Sequence, residues 1–469
     1  MAPRSISFSL STFTVILFML LIYGYVGYQL DRTDVAVLLA NWMLAFAGSW
    51  ILIRKLKLSF RTLAGIALLF RILFIFSIPT LSQDFYRFIW DGRMTWEGLN
   101  PLLSTPEQWM RKQEFPIPEA AALYQGMGEL NGSHYTNYPP ISQFVYMLAA
   151  AFGSNSILTS VIVIRIVLIL ADIGTWWLGS KLLSKLEYDK SRIYWFVLNP
   201  FVIIELVGNL HFEGLMVFFI VASLYFLYKN RTIVSGSLLA GAVLTKLIPL
   251  LFLPLYLPWF LRESNKEGYQ WRMSGLKAYV IFCSCVIGTV IIGFIPFASE
   301  QWLENFWASI ALWFQNFEFN ASIYYIFRWI GYQIYGWNQI ALIGKILPVL
   351  TVLILLYLSF RRKQNTFLTL IQALLFGITS YYFLSTTVHP WYVAVPLILS
   401  IFTPFRYALV WSLVVIFSYT AYIHEVYKED LRWVALEYII VYGVFMYELV
   451  RYKRKKPGTE SVSSQPGLL

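Results

Sequence analysis

The sequence predicts an all-α, polytopic membrane bundle, and three observations carry that expectation. Apolar runs of roughly 18 to 25 residues recur along almost the whole chain, each long enough to cross a bilayer core. Of the 469 residues, 58% are hydrophobic and only 13% charged, with a mean hydropathy of +0.62; a soluble domain carries about 25% charged residues. Basic residues also gather on alternate loops, as they do beside membrane spans. This composition excludes an ordinary cytosolic enzyme, a disordered chain and a nucleic-acid binder of the basic-patch kind.

The first apolar run, 7–28, exceeds a signal-peptide core and lacks a small-residue cleavage site, so a permanent span is expected there. Runs follow at 35–53, 62–80, 156–179, 191–208 and 212–229. The stretch 232–262 has the length of two spans, broken near Lys246 and Pro249. Further runs lie at 277–297, 339–360, 367–385, 390–404, 405–422 and 432–450. The run 139–152 is short for a crossing and fits a re-entrant or half-length helix.

With the N-terminus inside, alternation gives about 12 to 14 spans and returns the C-terminus to the same side. The inner loops around 54–61, 181–192, 229–231, 262–277 and 361–363, together with Arg4, Arg406 and the tail from Arg451, then hold two thirds of the 36 basic residues. The net charge of +11 is therefore topology information. Residues 1–450 are expected to form a single transmembrane module, with outer loops at 81–138 and 298–338. Residues 451–469 are expected as a basic, then disordered, cytoplasmic tail. All four histidines (134, 211, 389 and 424) fall on the outer side. Cytosolic nucleotide donors are poorly placed for chemistry there, and no Gly-rich phosphate loop is visible. Cys283 and Cys285 share one apolar run, and a helix points them to different sides. No spacing of the HxxxH or CxxC kind marks a metal site, so no metal ligand and no cofactor is expected.

The densest polar constellation runs from Ser82 to Arg93 and on to Pro101. Residues Asp84 to Trp96 read as a short amphipathic helix at the membrane surface. Asp84 and Asp91 lie seven residues apart, close to two turns, and share a face flanked by Tyr86, Arg87, Trp90 and Arg93. Apolar surroundings just past Pro79 would raise the Asp84 pKa towards a general-base range; an interfacial helix with aromatic anchors is the plainer reading. A polar aromatic loop with His134 and Tyr138 runs into Pro139-Pro140, where proline stiffens the start of a helix. His211 and Glu213 sit in a tight outer turn, suited either to a sugar hydroxyl or phosphate or to capping the turn. Lys246 interrupts an apolar hairpin, where an ionisable group is expensive and function is the default hypothesis; snorkelling is the alternative. His389-Pro390-Trp391-Tyr392 opens a late span on the same side.

The block Asp84-x-Tyr86-Arg87-x-x-Trp90-Asp91-Gly92-Arg93, followed by Gly98-x-Asn100-Pro101 and Tyr138-Pro139-Pro140, resembles the polyprenol-phosphate-mannose-dependent alpha-1,6-mannosyltransferases of the GT-C superfamily. The turn around His211 and Glu213, Lys246-x-x-Pro249 and the motif at His389 are similar to elements of that group. Gln83 stands where relatives often carry a second acidic residue or a serine-aspartate, and Leu102 where an aromatic is expected after Asn-Pro.

The resemblance implies an inverting glycosyltransferase in a bacterial plasma membrane, working on the non-cytosolic face. Its donor would be a polyprenyl-phosphate-linked sugar, mannose above all, and its acceptor a glycan or glycolipid. Asp84 matches the family's catalytic aspartate. A sugar 1-phosphate is already an activated leaving group, so one general base suffices, with cations to hold the phosphate. Asp84 would take the acceptor proton, Lys246, His211 and Arg87 or Arg93 would hold the phosphate, and Asp91 would orient the acceptor or a basic partner. A transporter or flippase for a lipid-linked sugar, or a non-catalytic lipid-binding subunit, is the alternative. Transporters carry repeats and midplane charges; this chain shows no repeat, and its polar groups gather at one face.

Overall fold

A peptide group in hydrocarbon has no water to bond, so an apolar run must satisfy its backbone internally and does so as helix. In the computed structural model, which describes residues 9–153, 156–261, 273–360, 366–423 and 427–454, every expected run contains helix. Among the described residues the one β-type feature is an isolated bridge between Phe319 and Thr387. His424, the basic residues at 4, 262–272 and 361–363, and the tail from 455 lie outside the described residues.

Among the described residues, seven helices are long and apolar enough to cross a membrane: Leu10–Tyr28, Val35–Arg54, Ile157–Lys185, Ser274–Phe297, Ile340–Phe360, Phe367–Leu384 and Leu431–Arg454. Lys190–Val197 and Val202–Gly208 form a pair bent by 62°. Shorter apolar helices include Pro140–Gly153, Glu213–Tyr228, Thr232–Thr245, Ile248–Leu261, Pro390–Ile401 and Tyr407–Tyr422. The break expected inside 232–262 falls at Lys246, whose backbone is extended (φ −150°, ψ 138°). The segment 298–338 carries two helices, Trp302–Gln315 and Ile323–Tyr335.

The third run departs from expectation. Only Phe60–Leu73 is helical, and the chain then runs irregularly past Pro79 to Gln83. Side chains take up the carbonyls left at that end: Tyr28 Oη donates to Leu73 O (2.7 Å) and Arg165 Nη1 to Ile75 O (3.0 Å). Arg165 also donates to Val207 O (3.0 Å) and Gly208 O (2.8 Å), closing the end of the bent pair. Arg165 thus serves backbone carbonyls. Asp172 lies two turns, about 10 Å, further along the same helix and instead accepts from Arg71 Nε at 2.7 Å. That pair ties Phe60–Leu73 to Ile157–Lys185. Glu205 accepts from Tyr419 (2.8 Å) and Asn209 (3.5 Å).

Helix Asp84–Trp96 has the expected bounds but a different setting. It is packed inside protein: the nine residues Phe85 and Arg87 to Met94 are buried. Helix Pro140–Gly153 packs along it, with Phe88 stacked on Tyr146 (4.8 Å between ring centroids, 4° between planes). Helix Ala120–Gly132 covers it from the loop side, with Pro106–Arg111 packed against that helix, and Met127 and Leu123 join its core. Gly92 permits the approach, because a Cβ there would lie 2.1 Å from Tyr146 O. The short run 139–152 therefore serves as the inner wall against which the loop helix folds.

Two stability predictions follow from this packing. Gly92→Ala should cost about 1–3 kcal/mol by overpacking and lower the melting temperature in detergent, whereas Gly24→Ala, with open space at its Cβ, should not. Asp172→Leu alone should cost about 3–5 kcal/mol by stranding Arg71, and Arg71→Met added to it should restore most of the loss; thermal melts of the wild type and these two variants check this.

Candidate active site

A cavity of about 690 Å³ opens where the loop 81–138 meets the chain breaks at Lys246 and His389. Of the residues singled out from the sequence, Asp84, Arg87, His134, Tyr138, Lys246 and His389 line it. Tyr86, Asp91, Arg93, His211 and Glu213 do not.

Asp84 is the first residue of its helix, half-buried, with its backbone N–H on Ser82 Oγ (3.3 Å). The side chain of Gln83 fastens this start to Met127 O (3.0 Å). Loss of hydration pushes the Asp84 carboxyl up to about 6, against the pull of the Lys246 ammonium and a hydrogen bond with Asn131; the Glu213 charge adds to the rise.

Arg87 reaches the cavity but is occupied by the protein itself. Its Nε donates to Asp91 Oδ1 (2.8 Å), and its Nη1 donates to the carbonyls of Asn131 (2.5 Å) and His134 (3.0 Å). Asp91, fully buried, also accepts from Gln143 Nε2 (3.2 Å). The shared face with Asp84 exists, yet Asp91 lies two turns deeper and holds Arg87 instead of facing the cavity. Arg93 is further still, donating to Pro118 O (2.5 Å) and Glu119 Oε2 (2.9 Å). Tyr86 lies under Gly126 of the covering helix.

Lys246 supplies the second charge. Its Nζ sits 2.5 Å from Glu213 Oε1, and the rings of Tyr138 and Tyr392 flank it at 6.0 and 5.8 Å. Glu213 is fully buried, so it serves the cavity through Lys246; its other oxygen, Oε2, has no hydrogen-bond partner among the described residues. His134 Nδ1 lies 2.6 Å from Leu130 O. Burial and the nearby Arg87 charge bring the His134 pKa down to about 4. Burial and Lys246 bring His389 down to about 3. Both rings are therefore neutral at pH 7.

The opposite wall is aromatic. His211, Trp391, His389 and Phe319 stack in one column, with successive centroids at 3.5, 4.6 and 5.0 Å. His211 is the buried end of that column, 3.6 Å from Glu205 across Nε2 and Oε2, and burial holds its pKa well below the usual value. Sequence reasoning did not single out Trp391, Tyr392, Tyr419, Tyr422 or Arg32 as site residues, and all of them line the cavity. The motif at 389–392 was the available signal for the first two; Arg32 carried none. Among the described residues no three His, Cys, Asp or Glu side chains come together as a metal site.

A model of the family described as "Alpha-(1->6)-mannopyranosyltransferase, N-terminal domain" matches residues 19–262. That stretch takes in Asp84, Arg87, His134, Tyr138, His211, Glu213 and Lys246, while Phe319, His389 and Trp391 lie beyond it. The chain is 24% identical over 251 residues to alpha-(1->6)-mannopyranosyltransferase A of Corynebacterium glutamicum, covering 51% of this chain and 47% of that protein. It is 23% identical over 209 residues to the Mycobacterium tuberculosis protein of the same name, covering 44% and 39%. It is 20% identical over 243 residues to alpha-(1->6)-mannopyranosyltransferase B of Corynebacterium glutamicum, covering 48% and 39%. In each case less than half of the relative's length is matched. No solved structure matches. The family match spans just over half of the sequence, and the chain belongs to the alpha-(1->6)-mannopyranosyltransferase family.

Proposed function

We propose that this protein is an inverting mannosyltransferase that moves mannose from a polyprenyl-phosphate donor to a glycan or glycolipid acceptor on the non-cytosolic face of the membrane. One observation carries the reading: a half-buried carboxylate, Asp84, lines the same cavity as the Lys246 ammonium. Family membership and the relatives' names favour mannose as the sugar. The clustering of basic residues on the loops opposite the cavity favours the non-cytosolic side.

In this reading the acceptor hydroxyl attacks C1 of the sugar as the C1–O bond to phosphate breaks. The leaving electron pair goes to the phosphate oxygen and the acceptor proton to Asp84. A base with a pKa near 6 is ionised at pH 7 and still basic enough to take a proton from a hydroxyl whose acidity rises as its bond to carbon forms. Lys246, steadied by Glu213, offers the phosphate a positive charge. The aromatic column and the rings of Tyr138 and Tyr392 give a sugar ring flat apolar faces to lie against. The donor's tail has apolar cavity residues beside it at Leu247, Ile248, Leu250 and Leu251.

Asp84→Asn should lower kcat about 10²–10⁴-fold in a transfer assay with polyprenyl-phosphate-mannose while the protein stays folded; near-normal turnover would remove Asp84 from the role. The wild-type kcat/KM should rise with pH through about 6, as the carboxyl loses its proton, and the residual rate of Asp84→Asn should be flat there. His134 and His389 are already neutral in that range and add no limb. A wild-type profile flat between about pH 5 and 7 would count against the assignment.

A further inference from the structure

Among the described residues, four charged side chains line the cavity: Arg32, Asp84, Arg87 and Lys246. Two of the three cations are already matched by acids. Arg87 pairs with the fully buried Asp91 and spends a further donor on two backbone carbonyls. Lys246 pairs with the fully buried Glu213 at 2.5 Å. In each pair the acid offsets part of the charge that the cation can offer an incoming anion.

Arg32 stands apart. It lies in the short link between Leu10–Tyr28 and Val35–Arg54, half-buried, with its Cζ 5.1 Å from the centroid of the Tyr422 ring. Among the described residues it forms no ion pair. Its neighbour Asp31 is exposed and accepts from the backbone N–H and hydroxyl of Thr33 (2.9 and 2.8 Å). Tyr422 is itself a cavity residue, so the ring that carries the guanidinium also faces the substrate space. Among the described residues, Asp84 and Arg32 are thus the charged groups of the cavity wall that form no ion pair, with the exposed Asp31 near enough to feel the Arg32 charge.

We propose that Arg32 is the anion contact of the cavity, its guanidinium binding the phosphate that joins sugar to lipid. The inference rests on the transferase reading above. A donor of that class is a phosphodiester with one negative charge. When the C1–O bond breaks, the released lipid phosphate monoester keeps the electron pair and carries a second charge. An unmatched cation gains most as that charge develops, so Arg32 favours the transition state over the bound donor. A guanidinium can also meet two phosphate oxygens at once, which the Lys246 ammonium cannot.

The test uses the full chain in nanodiscs, with farnesyl phosphate and inorganic phosphate as calorimetric probes and a short-chain prenyl-phosphate-mannose for turnover. Arg32→Gln should weaken farnesyl phosphate binding at least about tenfold and lower kcat about 10²-fold, with Arg32→Lys recovering part of both. Inorganic phosphate should bind the wild type far more weakly than farnesyl phosphate. Equal binding of farnesyl phosphate by wild type and Arg32→Gln overturns the assignment, as does equal affinity of the wild type for the two probes. Should Arg32→Gln not fold, Arg32→Lys decides, since unchanged binding and kcat in that variant overturn it as well. Wild-type transfer indifferent to Arg32 sinks this assignment alone. Arg32-dependent binding of farnesyl phosphate without any wild-type transfer supports the anion site and sinks the transferase reading.

Discussion

The ion pair between Lys246 and Glu213 sets the form of the cavity. An ammonium can stand at the end of an apolar helix only where an acid meets it, and a fully buried carboxylate can remain charged only beside such a cation. Two interruptions in the helices make the meeting possible. The chain turns between Val202–Gly208 and Glu213–Tyr228, which brings Glu213 to the first turn of its helix, and it becomes extended at Lys246. Both breaks expose peptide groups that hydrocarbon cannot satisfy, and polar side chains answer for them. Arg165 closes the carbonyls of 207 and 208, and Ser142 Oγ donates to Thr245 O at 2.8 Å.

The same economy of charge runs through the loop 81–138. Arg87 and Asp91 compensate one another inside the bundle, and the spare donors of Arg87 pin the carbonyls at 131 and 134. The His134 loop is thereby held in the cavity wall with Asp84. A carboxylate there feels little water, one cation and one anion, and its proton affinity follows from that balance. The proton affinity at position 84 therefore depends on its neighbours as much as on its own side chain.

Much of this was legible in the sequence, for identifiable reasons. The bounds of Asp84–Trp96 and the break at Lys246 could be read because apolar periodicity and an isolated charge are strong local signals. The depth of Asp91 and Arg93 could not. Helical period gives the face a residue shares but not how far along the axis a neighbour covers it, and two turns moved Asp91 from cavity to core. The extent of the helix's burial was hidden for a related reason: an amphipathic pattern reports one apolar face, whereas helices Pro140–Gly153 and Ala120–Gly132 both pack against this one. The third run promised a full span by length, yet Pro79 and the partners of the 73 and 75 carbonyls end it early. Arg32 was silent because a lone arginine in a short link has no pattern; only tertiary folding brings it over Tyr422.

The ring column has a bearing on how this protein could be divided. His211 belongs to the stretch shared with the family's N-terminal domain, while Trp391, His389 and Phe319 come from the remainder. Neither part alone encloses the chamber. Exchanging one portion for that of a distant homologue would bring together rings shaped for different neighbours, so the two segments are expected to vary in concert and to be inherited as a unit.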